Sequence, residues 1–589
     1  MFYHRNTDEN LTRELFQNPS SEYRGAPFWA WNCALDLKET VAQTSIFKEM
    51  GFGGYHTHVR HGLDTPYLGE EFNACIKACA KEAKRADMLL YLYDEDCWPS
   101  GGAGGSVTKN KRFSARYLLF TTQKAQKAPS LDTDGKLLEG QKLLARYTVR
   151  ALGNKLISYR RLSKQENPFG TIWYAYLKTE APRGFLNNEP YVDTLNKDAI
   201  DRFAEITYGS YKKTVGDFYG KEIKTMFTDE PQFHRFKQPL FPLFYRYEER
   251  AWTDDFDDTF KTAYRYSILD RLPELFWEPR YNRSQARYHY FDHLSERFAN
   301  AFADNLGNRC KKDGIALTGH LMEEPKLDGQ TKSAGDAMRQ YRGFEIPGID
   351  ILNSRYEFTT AKQAQSAMRQ YGREAMLSEL YGVSRWDNDF KNYKVGGDWQ
   401  AALGVTVRVP HLSLMSMKGQ AKRDYPASIF YQSPWYKKFK FLEDHFARVN
   451  TALTRGNPLT EIAVVHPIES YWLLYGDSAV KAKRNEFDKK FAQITDILLR
   501  GGLDFDFICE ATFPELTKEG TFPLQVGKMQ YKTVVVPNCI TLRSSTIDRL
   551  TEFQKNGGKV IFVGEIPQYE DGKRSSKPQE LAAISTSIP

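Results

Sequence analysis

The sequence predicts a (β/α)8 barrel followed by a flavodoxin-like α/β domain. Three observations carry that expectation. Short apolar strands alternate with amphipathic helices over most of the first 455 residues, eight such strands can be counted, and a second round of alternation starts after Asn457-Pro458. Strands joined by helices must run parallel, and eight of them close into a barrel. A doubly wound open sheet is the alternative arrangement of the same elements. The expected division is 1–457 for the barrel and 458–589 for the second domain.

The elements follow in order. PFWAWN (27–32) ends the first strand, and an amphipathic helix spans 37–50. GFGGYHTH (51–58) carries the second strand, a helix spans 70–86, and MLLYLYDED (88–96) is the third strand. Residues 111–190 break the rhythm with YLLFTT, LLARYTV and TIWYAYL, which read as a small sheet inserted on a barrel loop. A helix over 197–218 leads to EIKTMFTDEP (222–231), the fourth strand, and a mainly helical insertion over 240–310 precedes GIALTGH (314–320), the fifth. IDILNS, AMLSEL and VPHLSL complete the eight, with a weak helix near 398–403 before the last. In the second domain EIAVVHP, LDFDFI, KTVVVPN and KVIFVG are strands, with helices over 491–502 and 546–558. The tail SSKPQELAAISTSIP holds no predicted element, as expected of a piece of a longer protein or of a chain lacking C-terminal β-sandwich modules.

Composition narrows the function classes. The 589 residues carry 82 basic and 74 acidic side chains for a net charge of +8, interleaved as in KEAKRAD, so no basic block offers a nucleic-acid footprint. No run of about 18 apolar residues exists and the N-terminus has no apolar core of a signal peptide, so we expect a cytoplasmic protein without membrane partners. Seven cysteines are too few and too scattered for a disulfide scaffold, and Cys75 and Cys79 lack a second pair at zinc spacing.

Catalytic groups of a (β/α)8 barrel gather at the C-terminal ends of its strands. Those ends hold Trp31 and Asn32; His56, His58 and Arg60; Asp94, Asp96 and Trp98; Asp229 and Glu230; His320, Glu323 and Glu324; Glu379, with Trp386 on the loop after it; and His411. Glycoside hydrolysis uses two carboxyl groups, one to protonate the leaving oxygen and one as nucleophile or base. Strands four and seven face one another across a barrel, which pairs Glu230 with Glu379; Glu324 is the competitor for the second role. Arg385, six residues after Glu379, is the expected cation beside it. Trp31, Trp98 and Trp386 are expected to include a face that stacks on sugar. The remaining polar strand-end groups would bond its hydroxyls, and GGAGGS (101–106), which lacks the Lys-Ser/Thr ending of a phosphate loop, would line the cleft flexibly. A different reading takes His56, His58 and His320 as ligands of a metal-dependent hydrolase, and a third is a barrel that binds carbohydrate without turnover.

The segments PFWAWN, GGYHTHVRHGLDTPYLGEE, LYDEDCWPSGGAGG, YVDTLN, FTDEP, SELYG and VPHLSLMSMKGQAKRDYP together resemble the barrel of bacterial glycoside hydrolases related to family 106, the α-L-rhamnosidases. The resemblance covers most of residues 25–455, and the second domain is similar to the one that follows the barrel in such proteins and in some β-galactosidases. It implies acid-base hydrolysis of a terminal sugar by strand-end glutamates, with Glu230 as the general acid, and assistance by calcium. A β-galactosidase-like activity is the alternative.

Overall fold

The computed structural model describes residues 2–3, 10–124, 142–234, 247–353, 355–419, 424–425, 427–476 and 480–589. Parts of both predicted insertions and residues 420–423 and 426 of the VPHLSLMSMKGQAKRDYP segment lie outside them.

Eight parallel strands are present: β1 (Phe28–Trp31), β2 (Gly54–Val59), β3 (Leu89–Tyr93), β4 (Ile223–Asp229), β5 (Ala316–His320), β6 (Ile346–Ile351), β7 (Leu377–Leu380) and β8 (Val407–Pro410). Each pairs in parallel with the next. Beyond β8, Ser413–Leu414 pairs with β1, Trp29 opposite Ser413 and Ala30 opposite Leu414, so the sheet comes round on itself as a barrel. The open-sheet alternative is thereby excluded.

Strand side chains alternate between two environments. Phe28, Ala30, Tyr91, Tyr93, Phe227, Leu377, Val407 and Val409 pack together inside the barrel. Trp29 and Trp31 point the other way, into the layer between strands and helices, against Phe47, Tyr55 and Phe72. The helix Glu70–Ala86 presents Phe72, Cys75, Ile76, Cys79, Ala80 and Ala83 to that layer, so Cys75 and Cys79 are packing residues. Gly319 sits at φ +129°, where an added Cβ would come within 1.9 Å of the Thr228 carbonyl. Only glycine lets β5 approach β4 so closely there, and the next residue, His320, falls opposite Asp229.

The inserted sheet has six strands, of which Arg116–Thr121, Lys142–Leu152, Lys155–Leu162 and Ile172–Thr179 come from the first insertion. Tyr247–Trp252 and Glu278–Pro279 join them from the second, which is therefore less purely helical than expected. The weak helix expected near 398–403 is a full one, Phe390–Ala402. Gly396 and Gly397 lower its intrinsic propensity, yet a Cβ at Gly397 would meet the Phe446 ring at 2.2 Å, so the glycine makes room for the neighbouring helix.

After the barrel lies a five-stranded parallel sheet of Ile462–Val465, Phe505–Ile508, Thr533–Pro537, Lys559–Val563 and Thr586–Ile588, in spatial order 2-1-3-4-5. The tail that looked empty supplies a helix, Lys577–Ala583, and the fifth strand. Partly buried ion pairs fasten this sheet's loops to the barrel flank: Arg543 to Asp292 at 2.5 Å and Lys362 to Asp504 at 2.8 Å. No helix among the described residues is long and apolar enough to cross a membrane.

Candidate active site

The inward positions at the C-terminal ends of the strands form a ring of polar groups. Tyr93, Asp229, His320, Asp350 and Glu379 follow one another around it from β3 to β7, and His411 lies just beyond β8. His320 Nε2 bonds Glu379 Oε2 at 2.7 Å and lies 3.6 Å from Asp229 Oδ1. Tyr93 donates its hydroxyl to Asp229 Oδ2 at 2.5 Å. His411 Nε2 is 3.7 Å from the other Glu379 oxygen, Oε1.

Glu230 reaches this ring by breaking the strand rule. As the residue after Asp229, it would face the helices if β4 continued. Its φ of +45°, unusual for a non-glycine residue, turns the chain instead, and its N–H donates to the His320 carbonyl at 3.2 Å. One ligand-type atom from each of Glu230, His320 and Asp350 lies within 4.8 Å of the others, as do those of Asp229, His320 and Glu379.

The environments of the two glutamates differ in sign. Burial, then the charges of Asp229, Glu379 and Glu324, push the Glu230 carboxyl up to about 8. Burial also raises Glu379, but the hydrogen bond and charge of His320, helped by His411 and Arg60, override it and hold Glu379 below the usual carboxylate range. His320 responds in kind: burial lowers it, while Glu379, Asp229 and Asp350 draw it well above an ordinary histidine. Burial lifts Asp229 to about 6 and Asp350 well above its usual range, and Asp350 Oδ1 is buried without a hydrogen-bond partner.

Several residues expected in the site lie elsewhere. Trp31 is fully buried behind the sheet because it has the outward parity of β1. His56 is one layer below the ring, its Nδ1 on the Ala26 carbonyl at 2.9 Å and its ring against Tyr91 and Phe28; burial takes it down to about 3. His58, by contrast, shares the ring's layer beside Tyr93, but it is fully buried against Phe28 and takes a 3.3 Å contact from Arg60. Asn32 bonds both backbone groups of Ser416 and so ties the end of β1 to the loop after β8. Asp94, outward like Trp31, accepts from Ser100 and Tyr208. Asp96 accepts from Asn187, and Glu323 is exposed. The glycine-rich loop does not line the cleft freely. Its N–H groups at Gly101, Gly102, Ala103 and Gly104, with that of Asp96, all donate to the Glu95 carboxylate at 2.6–2.9 Å. Glu324 is buried and accepts from the backbone of Leu321 in its own loop. Arg385 is 86% exposed and pairs with Asp387, so the cation beside Glu379 is His320.

Arg60 forms a clamp at the rim. It pairs with Asp424 at 2.7 and 3.1 Å, and its guanidinium lies 4.4 Å from the Trp98 ring and 5.6 Å from that of Tyr425. Trp98 is half-buried beneath it, whereas Trp386 is exposed on the loop after β7. Sequence reasoning missed Asp350, Tyr93 and Asp424. The first two share the inward parity of their strands, which was the available signal; Asp424 sits in an irregular loop that gave none.

Neither potential ligand group fits the metals considered. Neither group includes His56 or His58, so the three histidines do not come together as one ligand set. Calcium takes six to eight oxygen ligands, and each group offers two carboxylates. No step below therefore runs through a metal.

The sequence matches no family model and no curated protein. Solved structures with a similar fold include a rhamnosidase from Novosphingobium sp. PP1Y, 14% identical with a TM-score of 0.65 over 97% of this chain and 71% of that one. Two β-galactosidases are also similar. That of Bacillus circulans sp. alkalophilus is 12% identical, TM-score 0.57, over 95% of this chain and 73% of its own. That of the haloarchaeon Halorubrum lacusprofundi is 13% identical, TM-score 0.55, over 94% and 74%. At such identities the likeness is one of fold.

Proposed function

We propose that the chain is a glycoside hydrolase that releases a terminal sugar, with Glu230 as general acid and Glu379 as the second carboxylate. The observation that carries this reading is the opposed setting of the two glutamates. One is lifted to about 8 and keeps its proton near neutral pH, and the other is held ionised by His320. Carboxyl groups driven apart by their surroundings divide naturally into acid and base or nucleophile.

In the reaction, the Glu230 proton goes to the glycosidic oxygen as the bond from that oxygen to the anomeric carbon breaks. The Glu379 carboxylate either attacks the anomeric carbon, forming a glycosyl ester that water deprotonated by Glu230 then cleaves to free Glu379, or takes a proton from a water that attacks that carbon directly. His320 keeps Glu379 ionised, and Tyr93 orients Asp229 beside it. Glu324, facing its own backbone, is the weaker competitor for the second role.

The α-L-rhamnosidase-like activity is our first reading. The motif resemblance over the barrel and the likeness to a rhamnosidase fold support it, and the β-galactosidase folds support the alternative. We read the chain as two domains, 1–457 and 458–589, the second flavodoxin-like because its strand order is 2-1-3-4-5. A screen of aryl glycosides, α-L-rhamnoside and β-galactoside first, tests the activity. Turnover of α-L-rhamnoside is expected, turnover of β-galactoside alone selects the alternative, and turnover of no glycoside contradicts the proposal.

A further inference from the structure

We propose that Ser100 is a positioning residue for the reaction: it fixes the peptide that joins Asp229 to Glu230 and so aims the Glu230 carboxyl. The inference rests on the reading of Glu230 as general acid and names what holds that acid in place.

β3 and β4 pair as far as Tyr93 and Phe227, and the Asp94 N–H still reaches the Phe227 carbonyl at 3.0 Å. The chain then leaves β4 and returns to its edge at Ser100. Ser100 donates its N–H to the Asp229 carbonyl at 2.8 Å, and its Oγ accepts from the Asp229 N–H at 2.8 Å. The same hydroxyl donates to Asp94 Oδ1 at 2.6 Å. A hydroxyl can give one proton and accept at the same oxygen, and both uses are taken here. On the other edge of β4, the Glu230 N–H donates to the His320 carbonyl at 3.2 Å. The Asp229–Glu230 peptide is thus gripped at its oxygen by Ser100 and at its N–H by His320.

Glu230 needs that grip. Its φ of +45° is a conformation that residues other than glycine rarely adopt, and such a conformation persists only where the surroundings over-determine it. The same φ is what turns Glu230 out of the strand pattern and into the ring. A peptide free to rotate would lose that turn and the aim of the carboxyl with it.

Ser100 is itself fixed on every side. Tyr191 donates its hydroxyl to the Ser100 carbonyl at 2.7 Å, and Tyr208 donates to the second Asp94 oxygen at 2.9 Å. The next four residues, 101–104, donate their N–H groups to the Glu95 carboxylate. Gly101 stands at φ +130°, where a Cβ would come within 2.6 Å of Val192. The glycine-rich loop therefore serves to set Ser100. Ser100 is fully buried, with its N–H, hydroxyl and carbonyl all bonded within the protein, so it acts through Glu230 and not on the sugar.

The test uses an alkyl glycoside and a dinitrophenyl glycoside of one sugar, the one found by the aryl glycoside screen. Ser100→Ala removes the acceptor of the Asp229 N–H. Displacing a reacting group by about 1 Å can cost about 10²-fold, so kcat/KM on the alkyl glycoside should fall about 10- to 100-fold. The dinitrophenyl group leaves without a proton, so on that substrate the loss should stay within about threefold. Damage to the fold or to sugar binding would slow both substrates alike, which separates positioning from a structural role. Tyr191→Phe deletes only the bond to the Ser100 carbonyl; it should show the same selective loss at about 3- to 10-fold, and it carries the test if Ser100→Ala does not fold. Glu230→Gln is assayed beside them. A selective loss in Glu230→Gln, with equal losses on both substrates or a loss below about threefold on the alkyl glycoside in the folded variants, overturns the inference alone. No selective loss in Glu230→Gln refutes the acid assignment, and this inference with it.

Discussion

Replacing His320 by Gln should move the acid limb of the pH–rate profile upward by about one unit. His320 Nε2 donates to Glu379 Oε2 at 2.7 Å from a buried, positively charged ring. A hydrogen bond to a charged group is worth about 1.5–3 kcal/mol and a neutral one about 0.5–1.5 kcal/mol. The amide of glutamine keeps a donor but loses the charge, so the ionised form of Glu379 loses about 1–1.5 kcal/mol, and one pKa unit is 1.36 kcal/mol. In the proposed reaction Glu379 acts ionised, so the rate should fall at a higher pH in the variant as acid is added. With Glu230 as the proposed acid, the alkaline limb reports the loss of its proton and should lie near 8 in the wild type. The His320 charge also lowers Glu230, so its removal should shift that limb upward as well. The assay is kcat/KM between pH 4 and 9 on the aryl glycoside that the screen selects. An acid limb that stays within about 0.3 unit of the wild type would refute the reasoning, because Glu379 would then owe its ionisation to something else.

Three further outcomes follow from the same geometry. Glu379→Ala should abolish turnover while Glu324→Ala stays within about tenfold of wild type; the reverse result would put the strand-five glutamate in the second role. Trp31→Ala should destabilise the fold by about 3–5 kcal/mol, as large core truncations do, while leaving KM within about twofold. A large KM effect in folded protein, measured beside denaturant unfolding, would return Trp31 to the cleft. Glu230→Gln should raise thermal stability at pH 7–8 and have little effect near pH 4. A folded-state pKa near 8, above the unfolded value of about 4.3, makes the native state bind the extra proton, so its stability falls as pH rises through that window and the uncharged variant escapes the loss. Unfolding temperatures of both proteins across that range check it, and a difference independent of pH would contradict it.

The barrel was legible because each strand is a short apolar run flanked by a helix with period-3.6 burial, as in Glu70–Ala86. What the residue order hid was parity. PFWAWN is aromatic on both faces, so nothing in it says that Phe28 looks inward and Trp31 outward. The same ambiguity placed Asp94 in the site and left Asp350 out of it. Once β1 is seen to send Phe28 and Ala30 inward, counting by twos from paired positions assigns Tyr93, Asp229, His320 and Glu379 together. Glu230 is the instructive exception: it leaves the strand pattern through a left-handed φ that residue type alone does not announce. The last strand, Thr586–Ile588, is exposed and short, and it forms because Lys559–Val563 offers it an edge. Its own apolar pattern gave no sign of it.

The most direct measurement of the central claim is the leaving-group dependence of Glu230→Gln. A general acid matters when the departing oxygen needs a proton and matters little when it does not. With an alkyl glycoside the variant should lose about 10²–10⁴ in kcat/KM, the usual worth of acid catalysis. With a dinitrophenyl glycoside of the same sugar, whose leaving group departs as a stable anion, the loss should shrink to less than about tenfold. Equal losses on both substrates, or activity within about threefold of wild type on the alkyl glycoside, would contradict the assignment of Glu230 as the acid.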